Sequence, residues 1–240
     1  MFRINCSILL IIFLCLTLNS CGDSSVFNDS KDYYPVSQWD DGTVYHWGKN
    51  NTIKIHVNSD DINLTSSNES NYITSFKAGI TEWKETLSSI GIIIEYVTSG
   101  ADVNVKWVVG STLATGVMGY ASTNKIITMS RTNNLYGSNS YHSDSTIKKI
   151  AIHEFGHMLG IWTHSFDSND IMYPYITANT LQLSNRDKKT LTDFLYSLTP
   201  NKDMHDLSGP ATTQDLSDNV HQATTYFTSN GCFIELNPKN

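Results

Sequence analysis

Hydrophobic and polar positions change period several times along the chain, and each change predicts an element. Residues 52–58 (TIKIHVN) alternate, with Ile53, Ile55 and Val57 on one face and Lys54 and His56 on the other. A period of two with one apolar face predicts a half-buried strand. Over residues 68–90 the period lengthens. Ile73, Phe76, Ile80, Trp83, Leu87 and Ile90 recur at steps of three and four, one stripe of an amphipathic helix. Gly91 stands where that helix would stop. Ile92 to Val97 (IIIEYV) is short and β-branched, the pattern of a buried strand. Val103, Val105 and Trp107 alternate with Asp102, Asn104 and Lys106 and predict another. Val117 to Ala121 and Lys125 to Ser130 read as two more short strands.

Residues 131–146 are rich in Asn, Ser and Gly and predict a loop. A second helix is expected from about Asp144 to Leu159, with Asp144 suited to the positive helix end. Ser184-Asn185-Arg186-Asp187 has the form of a capping box. It predicts a third helix carrying Leu191, Phe194, Leu195 and Leu198 on one face. Residues 199–240 are mixed and polar and predict no element. No repeat of solenoid period occurs. Strand, helix, strands, then helices is an α+β pattern with α/β-like order. It predicts a single domain built on a twisted sheet of four or five strands backed by helices.

The N-terminus changes the picture from folded domain to exported protein. Arg3 precedes an apolar run from Ile8 to Leu18, too short for a full span and of signal-peptide length. The run ends in Leu18-Asn19-Ser20-Cys21, which resembles a bacterial lipobox. Residues 1–20 then form a lipoprotein-type signal, with Cys21 lipidated as the new N-terminus. An ordinary cleaved signal, with Cys21 a bystander, is the alternative. Residues 21–42 read as a polar tether. Cys6 and Cys15 leave with the signal and Cys21 carries the lipid, so Cys232 stands alone and no intramolecular disulfide is expected. The fold must be held by its core or by a metal, not by disulfides.

Charge narrows the function classes. The 240 residues carry 16 Lys and Arg against 23 Asp and Glu, a net charge of −7, and no Lys/Arg run. An acidic chain of this kind is a poor nucleic-acid binder. A 40% hydrophobic content with 16% charged residues supports a buried core.

The chemistry is concentrated between Ile150 and Pro174. His153 and His157 stand four apart on the predicted second helix, so both imidazoles project from one face about one turn apart. Two imidazoles so placed can bind one tetrahedral zinc ion, and Glu154 beside them can reach a water there without being a ligand. With 8 His in the chain, chance would produce such an HExxH only roughly 0.007 times per sequence of this composition, so coincidence is a poor explanation. The surrounding helix is apolar, and buried imidazoles and a carboxylate need a partner that a metal supplies. A catalytic site needs a third ligand and an open fourth position. His164 is the first candidate, with Asp167 and Asp170 as fallback ligands. On a continuous helix His164 would lie ~10 Å along the axis from His157, so the helix must break first. Gly160 is placed to break it.

HEFGHMLGIWTH followed by DIMYP resembles the metzincin superfamily of zinc endopeptidases and, within it, the matrixin branch. The usual pattern of that family is HExxHxxGxxH with a later Met-turn. Here His153, Glu154, His157 and Gly160 match, and Met172-Tyr173-Pro174 is similar to the Met-turn. The sequence departs at Thr163, where the family has its third His; His164 follows one residue later. The resemblance covers roughly residues 43–198, and upstream of residue 144 it rests on element order. It implies one catalytic zinc ion, Glu154 as general base and Met172 beneath the metal. It also implies that the strand at Gly116 to Ala121 binds substrate in extended form. Tyr173 and Tyr175 are candidates either for core packing or for substrate contact. The family's propeptide Cys is absent from residues 22–42, and no ligand run for a structural calcium ion is legible.

The expectation is therefore a monomeric, membrane-anchored zinc endopeptidase of the cell envelope, or a secreted one if Cys21 is not lipidated. Its partners would be protein or peptide substrates and, through the lipid, a membrane. A surface binding protein that kept zinc but lost turnover is the alternative, favoured only by the offset third His. An amidase or a self-processing enzyme using the same zinc is a third.

Overall fold

The computed structural model describes residues 44–59, 71–135, 140–162, 164–176 and 181–198, with the backbone of two short strands at 202–203 and 232–236. The expected signal, Cys21 and all of the tether lie outside the described residues, as does Thr163. In chain order the elements are β1 (Tyr45–His46), β2 (Thr52–Val57), α1 (Tyr72–Glu82), α2 (Lys84–Ser89), β3 (Ile93–Tyr96), β4 (Val103–Val108), β5 (Val117–Ser122) and β6 (Ile126–Ser130). Helix α3 (Asp144–Met158), β7 (Tyr175–Ile176), α4 (Asn185–Lys189), β8 (Lys202–Asp203) and β9 (Cys232–Leu236) follow.

The five strands legible in the sequence form the body of one mixed sheet, in the order β3-β2-β4-β6-β5. The first four are mutually parallel, and β5 returns antiparallel to β6 through a turn with Lys125 at φ 62°. Two strands not foreseen extend the sheet on the β5 side. β9 pairs antiparallel with β5, and β7 pairs parallel with β9. Both are short, and β9 (CFIEL) is a brief apolar run without regular alternation inside an otherwise polar segment.

The predicted stripe of the long helix is the contact face. Phe76, Ile80, Trp83, Leu87 and Ile90 are buried in one core with Ile53, Ile55, Val103 and Val105 of the sheet. The helix is interrupted at Trp83, whose indole N–H donates to the Ile152 carbonyl at 2.9 Å. Each large side chain so buried contributes about 2 kcal/mol, which outweighs the local interruption. Helices α1 and α3 approach backbone to backbone at Gly79, where a Cβ would lie 2.6 Å from the Lys148 carbonyl oxygen. The segment at Ile92 to Val97 is not the buried strand its composition suggested. β3 is the outermost strand, and Ile93 is 63% exposed. β-Branched composition reports strand propensity, while position in the sheet decides burial. The third helix is also shorter than expected. After α4 the backbone winds through a π turn (Thr190–Phe194) and a 3-10 turn (Leu195–Ser197), burying Leu191, Leu195 and Tyr196, with Phe194 and Leu198 half-buried.

Candidate metal centre

Helix α3 carries the centre, and its two ends fix its position. Ser143 caps the start by accepting from the Thr146 N–H at 3.2 Å. The end is a Schellman turn: the Gly160 N–H donates to the His157 carbonyl at 2.9 Å and the Ile161 N–H to the Gly156 carbonyl at 3.1 Å. Gly160 has φ +105°, and a Cβ there would collide with the Tyr45 carbonyl oxygen. Two terminal carbonyls of the helix are taken from outside. The Trp47 indole donates to Met158 at 2.6 Å and the Tyr196 hydroxyl to Leu159 at 3.1 Å.

The turn sends the chain back toward the helix and brings His164 to the two helical histidines. His153 Nε2 lies 3.1 Å from His157 Nε2 and 3.2 Å from His164 Nε2. The ligand nitrogens of the three lie within 4.8 Å of one another, and among the described residues this is the group that could hold a metal ion. His153 and His157 are fully buried. His153 Nδ1 faces the Ile171 carbonyl at 2.8 Å and His157 Nδ1 faces the Ile161 carbonyl at 2.6 Å. A carbonyl oxygen only accepts, so both Nδ1 atoms carry protons and both Nε2 lone pairs point at the shared space. Lone pairs facing each other repel unless a cation lies among them. Nitrogens bound to one tetrahedral zinc stand about 3.3 Å apart, close to the spacings found here. The donor set therefore fits zinc.

Burial keeps these imidazoles neutral. It pushes His157 down to about 4, and it holds His153, with the neighbouring His157 and His164 rings adding to the effect, well below the ordinary histidine range. Glu154 is fully buried and faces β5: a Cβ at Gly119 would lie 3.2 Å from its Oε1 and 2.6 Å from Ile150 Cγ2. Strand β5 thus runs directly past the carboxylate.

The family Matrixin matches residues 46–197, more than half of the chain. The chain belongs to the matrixin family of zinc metalloendopeptidases. Karilysin of Tannerella forsythia is 29% identical over 181 residues, which cover 70% of this chain and 36% of karilysin. The chain thus spans little more than a third of that relative's length. Among solved structures it is similar to myroilysin, with 15% identity and a TM-score of 0.44 over 64% of this chain and 96% of that one. It is also similar to metalloproteinase-II from Bacteroides fragilis, with 14% identity and a TM-score of 0.35 over 63% and 56%.

In this matrixin Met172 is fully buried beneath the helix, where it occupies the space a side chain on Gly156 would need. Asp187 ties that floor to α4. Its carboxylate completes the capping box with Ser184, accepts from the Ile171 N–H at 3.0 Å and lies 3.5 Å from the Met172 N. Because the Ile171 carbonyl orients His153, the box that starts α4 also positions one imidazole of the group that could hold a metal. Asp167 and Asp170 are not at the centre. Asp170 accepts from Ser165, from Ser184 Oγ at 2.7 Å and from Arg186 Nε at 2.6 Å, and Asp167 is 3.3 Å from Arg186 Nη2. These bonds pin the loop after His164 to α4. Tyr173 and Tyr175 are half-buried, with ring centroids 5.7 Å apart. Trp162 stacks 6.2 Å from His157.

Gly119 and Gly156 were not singled out by sequence reasoning, although the signal was present. A Gly inside a strand marks close backbone approach, and a Gly inside a helix costs about 1 kcal/mol unless packing requires it. The other histidines read in the sequence as surface or hydrogen-bonded groups rather than ligands: His46 is buried and bonded to the Leu198 carbonyl at 3.1 Å, and His142 is buried and hydrogen-bonded to the Thr132 backbone. His205 and His221 lie outside the described residues.

A pH dependence follows. Burial also lowers His142 to about 4. Between the unfolded histidine value of about 6.5 and these lowered values, the unfolded chain binds more protons than the folded one. Stability of the metal-free protein should therefore be complete above about pH 7 and fall as pH drops from there toward 4. Thermal melts of metal-free protein at pH 8, 6.5 and 5 check this. A midpoint that stays constant from pH 8 to 5 contradicts it.

Proposed function

We propose that this matrixin is an exported, membrane-anchored zinc-dependent endopeptidase that works as a monomer. The observation that carries the reading is the convergence of His153, His157 and His164 Nε2 atoms beside the buried carboxylate of Glu154. The three imidazoles would hold zinc. When bound, zinc acidifies a water and polarises the scissile carbonyl. Glu154 takes the proton of the attacking water and passes it to the leaving amine. The bonds from Ile171 and Ile161 keep His153 and His157 in the ligand tautomer throughout. Met172 and Gly156 keep the floor of the site apolar and closed to water. An extended peptide would pair with the β5 backbone on the side that β9 occupies in the structure, and Tyr173 and Tyr175 contact its side chains.

The lipobox-like Leu18-Asn19-Ser20-Cys21 supports lipidation of Cys21 and placement at a membrane face of the cell envelope, with neighbouring proteins or peptides as substrates. Among the described residues no helix is long and apolar enough to cross a membrane. The test is cleavage of a mixed peptide library by the purified zinc-loaded chain. Cuts within peptide interiors that vanish on chelation are expected. An intact library beside one bound zinc per chain would point to the binding-protein alternative. Mass spectrometry of the mature N-terminus tests the anchor, and an unmodified residue downstream of Cys21 removes it.

A further inference from the structure

The edge of β5 is already taken. β9 lies along it antiparallel, with Val117 opposite Glu235, Gly119 opposite Ile234, Tyr120 opposite Phe233 and Ala121 opposite Cys232. The register slips between Val117 and Gly119, a bulge at the residue that touches Glu154. On its other side β9 pairs parallel with β7, Tyr175 opposite Glu235 and Ile176 opposite Leu236. β9 therefore runs between the strand beside Glu154 and the segment that follows the Met-turn. It also lies against α3. Without it β5 would be an edge strand, with unpaired backbone groups next to the catalytic carboxylate. The five-stranded body of the sheet is complete without β9, and the match to the matrixin family ends at residue 197.

We propose that β9 is a tethered inhibitory strand: residues 232–236 fill the backbone ladder that an extended peptide substrate must use, and the enzyme works only when they leave. The inference rests on the endopeptidase reading for its meaning, and on the two ladders for its geometry. The β5 backbone groups that pair with β9 cannot pair with a second peptide at the same time, so substrate and tail exclude each other. A tether gives the tail an effective concentration in the millimolar range. If a five-residue strand binds at about 0.1 mM, occupancy raises the apparent KM roughly tenfold and leaves kcat unchanged.

Ile234→Pro in the full chain tests this, because proline cannot donate to a ladder in a strand flanked on both sides. The expected result is a KM about tenfold lower with kcat unchanged and a melting midpoint within about 3 °C of wild type. A variant with reduced kcat/KM and a midpoint lower by about 8 °C or more makes β9 an integral strand and overturns the proposal. Amide hydrogen exchange of the wild-type chain decides the matter without any variant or turnover. A releasable strand should exchange at 232–236 at least about ten times faster than at 103–108 and 126–130, through local opening. Equal protection in all three strands means that β9 opens only on global unfolding and is not a releasable inhibitor. Because exchange needs no cleavage, a chain that cuts no peptide yet releases β9 separates failure of the peptidase reading from failure of this one.

Discussion

Replacing Glu154 by Gln should lower kcat/KM about a thousandfold while leaving one zinc ion bound per chain. The substitution keeps the shape of a side chain that is fully buried in the middle of α3, so the helix and the three imidazoles stay in place. It removes the ability to take a proton from water, and general base catalysis of this kind contributes between about a hundredfold and ten-thousandfold. The metal should remain because the group that could hold it is His153, His157 and His164 and does not include Glu154. Two measurements separate the outcomes: kcat/KM on a peptide taken from the library, and zinc content after gel filtration. A variant within about fivefold of wild type would take Glu154 out of the reaction. Loss of zinc together with activity would make its role structural.

The second large effect is expected at Gly160. Gly160→Ala should cost about 3 to 5 kcal/mol, lower the melting midpoint by roughly 10 °C and weaken zinc binding. Two penalties act together. The backbone sits at φ +105°, where an L-residue is strained, and the new methyl group would collide with the Tyr45 carbonyl oxygen. Relief requires the turn to open, and the turn supplies the Ile161 carbonyl that orients His157 and the reversal that delivers His164. Gly48→Ala is the control. Gly48 also has positive φ, +76°, but a Cβ there meets nothing within 4 Å. Its cost should stay near 1 kcal/mol with zinc binding unchanged. Equal effects at both positions would mean that backbone conformation alone matters and that the contact with Tyr45 does not.

Much of the site was legible because its signals are local. His153 and His157 share a helix face by spacing alone, and Gly160, just past the last residue of the apolar helix pattern, stands where a C-terminal stop is expected. The offset at Thr163 and His164 is tolerated because it falls beyond the Schellman turn, where the chain is no longer held in helical register. The supporting contacts were not legible. Asp187 reads in the sequence only as the third residue of a capping box, yet its carboxylate also holds the Ile171 N–H, 16 residues away. Asp167 and Asp170 are the right residue types for a metal and stand close to His164 in sequence, but Arg186 holds both.

The sequence by itself determined the five-stranded body, the buried stripe from Phe76 to Ile90, the α3 helix and the shared face of His153 and His157. Each depends on periodicity or spacing within one segment, which side-chain direction along a helix or strand converts straight into geometry. Tertiary structure alone decided that β3 is an exposed edge, that His164 arrives beside His153, that Gly119 lies against Glu154 and that β9 covers β5. These are pairings between distant segments. The strand pairings among them are made by backbone hydrogen bonds, which carry no residue-specific signal because every residue except proline offers the same donor and acceptor.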